Sequence, residues 1–454
     1  MERADRPLLA LVAGYFLLAT VIGGGGTPNP ATEVPLILLS FLFATVALFL
    51  RPPTLFASFA SNRVLWLCAL GILAVPLAQL IPLPPSIWRA LPGRTVVTGI
   101  LDFAGTGSQW RPLSLVPAAT LASLLCLIAP AIMAYSVVQF GPTARAWLLG
   151  AVAAMALLTA VIGVLQFVAG NGGLKLYNQT ALRFATGFFA NRNTLPDFLT
   201  VGGFATLATL QGRREEAAGI HWSRDAATGA ALTILAMGTL ASGSRAGIAL
   251  FSIVLLSAAY LFGRRSRSWT LAAVLVLPAF YLVGWAAVNT GALADVGGRL
   301  EKSDASRLVI WRNTLDLIPA YLPFGSGMGT FVPVYQTIEP LDDLQAAVTN
   351  RAHNDYLELA LESGVAGMAV LALTVATVLA YGTRKILAGG SSTIEGWFAL
   401  GTLLVIALHS AVDYPLRNMT MLAVGGLAFG LLTQARGGPA GALANQHSNA
   451  GVTR

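Results

Sequence analysis

The chain has 454 residues, of which 56% are hydrophobic and only 11% are charged, and its mean hydropathy is +0.70. This composition excludes an ordinary soluble domain and indicates an integral membrane protein. The formal net charge of +8 does not indicate nucleic-acid binding, because the basic residues form short clusters between apolar stretches.

About twelve apolar stretches approach the ~20 residues that cross a bilayer as a helix. In chain order they lie near 8–25, 34–50, 64–81, 117–140, 145–169, 188–210, 226–243, 246–263, 269–289, 364–381, 395–412 and 417–434. The sequence therefore predicts an all-α polytopic membrane protein. The first stretch follows Arg3 and Arg6 without an evident cleavage site, so we expect a span and not a removed leader. Cys68 and Cys126 lie inside stretches, where packing is the expected role.

Basic clusters between the stretches set the predicted orientation. In a twelve-span protein, Arg213 with Arg214, the cluster at 264–267, and Arg384 with Lys385 all lie on the side of the two termini. The positive-inside rule assigns this side to the cytoplasm. Many arginines nevertheless fall on the outer side, against this bias, and an anionic ligand is one reason for their presence there.

Three predicted outer loops are long: 82–116, 170–187 and 290–363. Long loops in a compact protein are usually functional or disordered. The third contains enough aromatic residues to form a small, partly helical outer domain. The predicted organisation is nine transmembrane helices over 1–289, a periplasmic loop domain over 290–363, three transmembrane helices over 364–435 and a flexible cytoplasmic tail over 436–454.

The most informative residues follow the third loop. Residues 351–364, RAHNDYLELALESG, place one histidine, one arginine and three carboxylates at the start of an apolar helix. The carboxylates Asp355, Glu358 and Glu362 share one face at helical spacing. We expect Asp355 or Glu358 to orient the His353 imidazole and raise its basicity. His353 is therefore a candidate general base for a sugar hydroxyl, with a helix-capping histidine as the structural alternative.

Further polar residues lie at the predicted outer ends of spans. Arg245 falls between two spans, where an arginine must bind an anion such as a diphosphate or reach the lipid headgroups. Arg307 and Arg312 flank Trp311, and the i, i+4 spacing of Arg307 and Trp311 permits stacking. The candidates for substrate contacts, with interhelical hydrogen bonding or capping as an alternative, are Asn191, Arg192, Asn193, Arg312, Arg351, Asn354, Asp355, Glu358, His409 and Asp413.

A glycine-rich turn, PFGSGMGTF at 323–331, precedes the His353 stretch. It is not a P-loop, because no Gly-Lys-Ser/Thr follows. We expect a tight turn or a close approach of backbone to a ligand. The chain also shows no catalytic zinc spacing and no nucleophile elbow, which favours a reaction without a metal or cofactor on a lipid-borne donor.

In their order and location, these motifs resemble those of the bacterial O-antigen ligase and O-antigen polymerase superfamily, whose members share an outer-loop domain. The matching pieces are GFFANRN at 187–193, SRAG at 244–247, the stretch from Ser306 and Arg307 to Trp311, GSGMGTF at 325–331, HNDYL at 353–357 and ESG at 362–364. The ordered set is more specific than any single piece.

The resemblance implies an inverting, metal-independent glycosyltransferase of GT-C-like helical architecture that needs no cofactor. The implied donor is a glycan on undecaprenyl diphosphate, and the acceptor is a glycolipid or glycan at the periplasmic face of the bacterial inner membrane. By position, Arg245 is similar to the family's membrane-boundary arginine, Arg307 to its outer-loop arginine and His353 to its key histidine. The arginines would bind the diphosphate, and His353 would deprotonate the acceptor.

The sequence leaves several alternatives open. The acceptor would be a lipid A core for a ligase, a lipid-linked repeat for a polymerase, or a protein for an O-oligosaccharyltransferase. A transporter or flippase for lipid-linked sugars belongs to another class. It would place charged residues deep in several spans and give pseudo-symmetric halves, whereas the polar residues here concentrate at one face.

Overall fold

The structure is a computed structural model that describes residues 5–26, 30–50, 62–170, 174–177, 184–212, 221–263, 279–280, 282, 294–340, 349–388 and 391–433. Its helices are α1 (Asp5–Ile22), α2 (Pro30–Leu50), α3 (Arg63–Gln79), α4 (Pro85–Trp88), α5 (Thr95–Phe103), α6 (Pro117–Cys126), α7 (Ile128–Gln139), α8 (Pro142–Ala169), α9 (Thr194–Gly212), α10 (His221–Ala241), α11 (Arg245–Gly263), α12 (Ala294–Leu317), α13 (Phe331–Tyr335), α14 (Asp355–Leu387), α15 (Ser391–His409) and α16 (Met419–Leu432). One antiparallel pair joins β1 (Pro82–Leu83) to β2 (Arg111–Pro112).

The described residues confirm an all-α membrane protein. Five helical segments are long and apolar enough to cross a membrane: Asp5–Gly25, Ala31–Leu50, Pro117–Gln139, Pro142–Ala169 and Asp355–Leu387. Every predicted stretch except the ninth overlaps a helix of the described residues. The ninth, at 269–289, lies outside the described residues apart from 279–280 and 282, and so do the basic clusters at 213–214 and 264–267 and the tail over 436–454.

The buried helix α9 organises the bundle, because it packs against α8, α10, α11 and α15. Phe198, Leu199 and Phe204 of α9 are buried in the main hydrophobic core. Immediately before α9, the backbone N–H of Asn193 donates to Oδ1 of Asn191 at 2.9 Å, a local turn that competes with helix and precedes its start. This turn places residues 191–193 at the same end of the bundle as the end of α15.

Helix α14 begins at an N-cap and is bent at a glycine. The side chain of Asn354 accepts hydrogen bonds from the backbone N–H groups of Tyr356 and Leu357, at 3.0 and 3.1 Å. Gly364 has φ of 59°, so it interrupts the helical geometry between the polar first turns and the apolar remainder. A short polar helical segment therefore precedes the apolar part of α14, at the position where the sequence predicts a break.

The glycine-rich turn packs against this bend. Gly325 has φ of 81°, and a Cβ added there would lie 2.4 Å from the carbonyl oxygen of Glu362. The backbone N–H of Gly327 donates to the same carbonyl at 2.9 Å, and that of Val365 donates to Pro323 at 2.9 Å. The turn therefore serves a close approach between two backbones, which confirms the expected tight turn and assigns it to packing.

The described part of the third long loop has its own small core. Seven buried residues form it: Leu317, Tyr321, Phe331, Val334, Tyr335, Ala352 and Leu361. Because Leu361 belongs to α14 and Ala352 directly precedes His353, this core fixes the loop onto the start of α14. Indole Nε1 of Trp311 adds a hydrogen bond of 2.8 Å to the carbonyl of Ala352.

Candidate active site

His353 has an unusual backbone conformation. Its φ is 52°, the left-handed region, and it is the one non-glycine residue with positive φ in the part of the chain that the structure describes. This conformation costs free energy for a residue with a side chain and persists where its surroundings hold it. Three hydrogen bonds do so: Trp311 Nε1 to the Ala352 carbonyl at 2.8 Å, the Ala352 N–H to Glu358 Oε1 at 2.8 Å, and the Asp355 N–H to the Ser410 carbonyl at 2.8 Å.

The carboxylate beside His353 is that of Asp413. Nδ1 of His353 lies 3.3 Å from Oδ1 of Asp413, whose side chain is only 2% exposed against 26% for the imidazole. Asn193 donates to Oδ2 of Asp413 at 2.6 Å, Asn191 donates at 3.3 Å, and the backbone N–H of Tyr414 donates to Oδ1 at 3.0 Å. The carboxylate is therefore held by donors from two separate segments of the chain.

Positive charge keeps Asp413 ionised. Burial alone favours the neutral acid, but the hydrogen bond with His353 and the charges of His409, His353 and Arg307 outweigh it and lower the pKa of Asp413 below its ordinary value. An ionised Asp413 accepts a hydrogen bond from Nδ1–H of His353. When the imidazole is neutral, this hydrogen bond leaves Nε2, which makes no hydrogen bond with any described residue, as a proton acceptor.

The prediction that Asp355 or Glu358 orients His353 is wrong. Glu358 accepts the N–H of Ala352 and lies 3.3 Å from Arg351 and 3.0 Å from Arg417. Asp355 accepts the Ser410 hydroxyl at 2.9 Å. Both carboxylates lie on the buried face of α14, whereas the positive φ of His353 turns its side chain away before the helix starts.

Arg417, in the turn before α16, binds the whole carboxylate stripe. Its guanidinium lies 3.8 Å from Asp355, 3.0 Å from Glu358 and 2.9 Å from Glu362, and all of these carboxylates are buried. The sequence did predict the shared face of the three carboxylates, but Arg417 was not identified as their partner. This cluster attaches α14 to the segment that carries Asp413, and it thereby fixes the two partners of the His–Asp pair relative to each other.

A cavity of about 310 Å³ lies close to this pair, although neither His353 nor Asp413 is among its lining residues. Arg192, Arg245 and Arg307 line it from three different elements, together with Asn193, Gly243, Ser244, Ala246, Leu308, Trp311, His409 and Val412. Val412 directly precedes Asp413, and its carbonyl accepts a hydrogen bond of 3.2 Å from Arg307. The lining places three permanent cations around one space, which suits a strongly anionic ligand.

The three arginines differ in how they are held. Arg192 lies over the Phe184 ring, 4.2 Å from its centroid, and donates to the Gly243 carbonyl at 3.3 Å. Arg245 is exposed at the first residue of α11. Nε of Arg307 is buried and makes no hydrogen bond with any described residue. A buried donor without a partner is costly, so a ligand oxygen at Arg307 would remove a penalty of the unliganded state.

A second imidazole–carboxylate pair lies deeper. Nδ1 of His409 is 2.6 Å from Oδ2 of Asp197, and the two side chains are 2% and 0% exposed. His409 lines the cavity, whereas Oδ1 of Asp197 has no hydrogen-bond partner among the described residues. Asp197 was not singled out from the sequence, although a lone carboxylate in the apolar helix α9 is a recognisable signal.

The other predicted residues have different positions. Arg312 is exposed and is not in the cavity lining that the described residues form. Arg351 is buried and paired with Glu358. Asn354 caps α14 and donates to the Ala411 carbonyl at 2.9 Å, so it holds the two segments of the site together. Within the described ranges, no group of three or more His, Cys, Asp and Glu side chains is arranged to hold a metal ion.

The described residues therefore form an apolar helical bundle of a membrane protein, with a basic cavity and a His–Asp pair at one end. The O-antigen ligase family model matches residues 230–372, which supports membership in the O-antigen ligase and polymerase superfamily. The matched range contains Arg245, Arg307 and His353. No curated protein matches the chain. The matched family model implies, in general terms, a glycosyl-transferring enzyme with lipid-linked glycans and glycan or glycolipid acceptors as substrates.

Proposed function

We propose that the protein transfers a glycan from undecaprenyl diphosphate to an acceptor hydroxyl, with inversion at the anomeric carbon and without a metal ion. The observation that carries this proposal is the cavity lined by Arg192, Arg245 and Arg307 next to the pair of His353 and Asp413. A diphosphate leaving group needs fixed positive charge, and a sugar hydroxyl needs a base. The two needs correspond to the two parts of the site.

The arginines act on the leaving group. As the bond between the anomeric carbon and the diphosphate oxygen breaks, negative charge grows on that oxygen. Guanidinium groups that are already positioned stabilise this charge more in the transition state than in the ground state, which is the condition for faster chemistry. Arg307, with its unpartnered buried Nε, is assigned the strongest contribution to binding of the diphosphate.

His353 acts on the acceptor. Nδ1–H donates to Asp413, and Nε2 takes the proton of the acceptor hydroxyl while its oxygen attacks the anomeric carbon. The new glycosidic bond forms on the face opposite the departing diphosphate, so the configuration is inverted. The proton then leaves His353 to solvent, and the lipid diphosphate leaves with the electron pair of the broken bond. Asp413 stabilises the imidazolium that exists between these steps.

We propose twelve spans in a GT-C-like arrangement, with the boundaries at 1–289, 290–363, 364–435 and 436–454 and with both termini in the cytoplasm of the cell. This topology puts His353 and the cavity at the periplasmic face of the inner membrane. The sequence places a basic cluster, Arg384 and Lys385, at the opposite end of α14 from His353, which supports this orientation. The acceptor assigned first is the lipid A core, as for a ligase.

The test is reconstitution of the purified protein in liposomes with a glycan on undecaprenyl diphosphate and, separately, a lipid A core, a second lipid-linked repeat and an acceptor protein. Product on the lipid A core supports the ligase assignment. Product on the lipid-linked repeat or on the protein supports glycan transfer but changes the acceptor assignment to that molecule. Movement of the donor across the bilayer without any product contradicts an enzyme. Loss of activity in EDTA that a divalent cation restores would contradict metal independence, and NMR of the new linkage tests inversion.

A further inference from the structure

The helix α5, in the first long loop, exposes an apolar stripe. Val96, Ile100 and Phe103 are 68, 61 and 96% exposed, and their i, i+4, i+7 spacing puts them on one face. No residue of this helix is buried. Nearby Trp110 is also exposed. Leaving a contiguous apolar face in water is unfavourable, and such faces mark contacts with a partner or a membrane.

The remainder of this loop is firmly attached to the protein. Trp88 is buried, and its indole donates to the carbonyl of Gln109 at 3.0 Å. Arg89 forms a two-pronged ion pair with Asp102, on the polar face of α5, at 2.6 and 2.7 Å. Gly93 lies against the ring of Tyr321, where an added Cβ would be 2.4 Å away. The loop therefore holds α5 at a defined position and leaves its apolar stripe uncovered.

That position is the boundary of the membrane-spanning helices. Tyr321, which contacts Gly93, is two residues from Pro323, whose carbonyl accepts the N–H of Val365 at the start of the apolar part of α14. At the same level, the Gln79 side chain, at the end of α3, donates to the carbonyl of Glu362 at 2.8 Å. The exposed apolar residues Ile81, Phe324 and Val365 lie along this boundary. The stripe of α5 and these apolar residues are thus all exposed near the outer ends of α3 and α14.

We propose that α5 is an interfacial helix that lies on the bilayer, with Val96, Ile100 and Phe103 inserted at the boundary between headgroups and acyl chains. A short helix with an apolar face and a polar opposite face has this preference, and tryptophan is enriched at the same depth. His353 precedes the outer end of α14, so α5 lies on the same side of the membrane as the cavity. The inserted stripe fixes the outer loops at the depth of lipid headgroups. This inference is independent of the reaction that the cavity supports.

The test uses bimane attached to a single introduced cysteine in the full-length protein, reconstituted in phosphatidylcholine and phosphatidylglycerol vesicles. Phe103→Cys reports the apolar stripe, and Thr95→Cys, exposed on the polar face of the same helix, is the matched control. The native Cys68 and Cys126 are buried, so the labelling is selective. Phe103 is almost fully exposed, so its replacement leaves the core unchanged.

We expect lipids with a nitroxide at the fifth acyl carbon to quench bimane at position 103 several-fold more strongly than at position 95. Aqueous iodide should show the opposite preference. Equal quenching at the two positions would overturn the proposal. Pyrene excimers at position 103 that disappear on dilution with lipid would show that a second copy covers the stripe, and this result would also overturn it.

Discussion

Oδ1 of Asp413 lies 3.3 Å from Nδ1 of His353, although sixty positions separate the two residues in the chain. His353 precedes α14, and Asp413 follows α15. Asn191 and Asn193, which precede α9, donate to the same carboxylate. One buried carboxylate therefore joins three helix ends at the point where the cavity opens. The stability and the ionisation of this junction are accessible to measurement.

The lowered pKa of Asp413 predicts how its contribution to stability depends on pH. A carboxyl with a lower pKa in the folded than in the unfolded state, where it is about 3.9, stabilises the protein above that value. The contribution is lost as pH falls through the folded pKa. We expect the difference in Tm between the natural protein and Asp413→Asn to be constant from about pH 8 to 5 and to shrink below about 4. A difference that has already vanished by pH 5 would show that burial outweighs the neighbouring cations.

Arg417 compensates three buried carboxylates, so its loss should be costly. Arg417→Met leaves Asp355, Glu358 and Glu362 without their common cation, and we expect the free energy of unfolding to fall by about 3–5 kcal/mol. Thermal unfolding in detergent measures this loss. Arg312→Met, at an exposed position, is the control and should change stability by less than about 0.5 kcal/mol.

Removing the charge of the carboxylate stripe tests whether Arg417 stabilises the protein through its charge or through its packing. Glu358→Gln and Glu362→Gln keep an oxygen for the N–H groups of Ala352 and Phe331, which the two glutamates now accept. Added to Arg417→Met, they should recover part of the lost stability. No recovery would mean that the arginine stabilises the turn through its packing and not through its charge.

Substitutions at His409 and Asp197 should distinguish the contribution of this pair to stability from its contribution to glycan transfer. His409→Leu alone leaves a buried carboxylate without its partner and should cost about 3–5 kcal/mol. The double variant with Asp197→Leu removes both polar groups and should recover most of that stability. Because His409 lines the cavity, we expect the double variant to stay impaired in glycan transfer. Full activity in a stable double variant would restrict the pair to packing.

The sequence predicted local features of this fold well. Hydropathy located the apolar helices, and the glycine at 364 marked the bend in α14, because both signals depend on residues close together in the chain. The pairs that build the site were not predictable in this way. His409 and Asp197 are 212 positions apart, and Arg417 lies 55 positions after Glu362. Only the packing of helices brings them together.

The misassignment of Asp355 and Glu358 has a specific cause. Both are neighbours of His353 in sequence, and helical spacing suggested that they also lie beside its imidazole. The periodicity was correct, since all three carboxylates of the stripe meet Arg417. His353 precedes the helix and has a left-handed backbone, so its side chain does not follow the helical spacing, and a sequence pattern gives no indication of that conformation at a non-glycine residue.

The cavity arginines should control donor binding, and exposed Arg312 should not. A hydrogen bond to a charged group contributes about 1.5–3 kcal/mol, so Arg192→Ala or Arg307→Ala should raise the KM for the lipid diphosphate donor by roughly tenfold to a hundredfold. Arg312→Ala should leave it unchanged, because this side chain is outside the cavity lining. Kinetics at varied donor concentration measure both. An equal effect of all three substitutions would indicate a general loss of surface charge.

The most direct test of the proposed reaction compares glycan transfer by the natural protein and by His353→Ala, purified and reconstituted with a donor on undecaprenyl diphosphate. General base catalysis contributes about 10²–10⁴-fold, so transfer should fall by at least about a hundredfold, while insertion into the membrane and binding of the donor are retained. Arg245→Ala should also abolish transfer, through the diphosphate. Full activity of purified His353→Ala would contradict the assignment of His353 as the base.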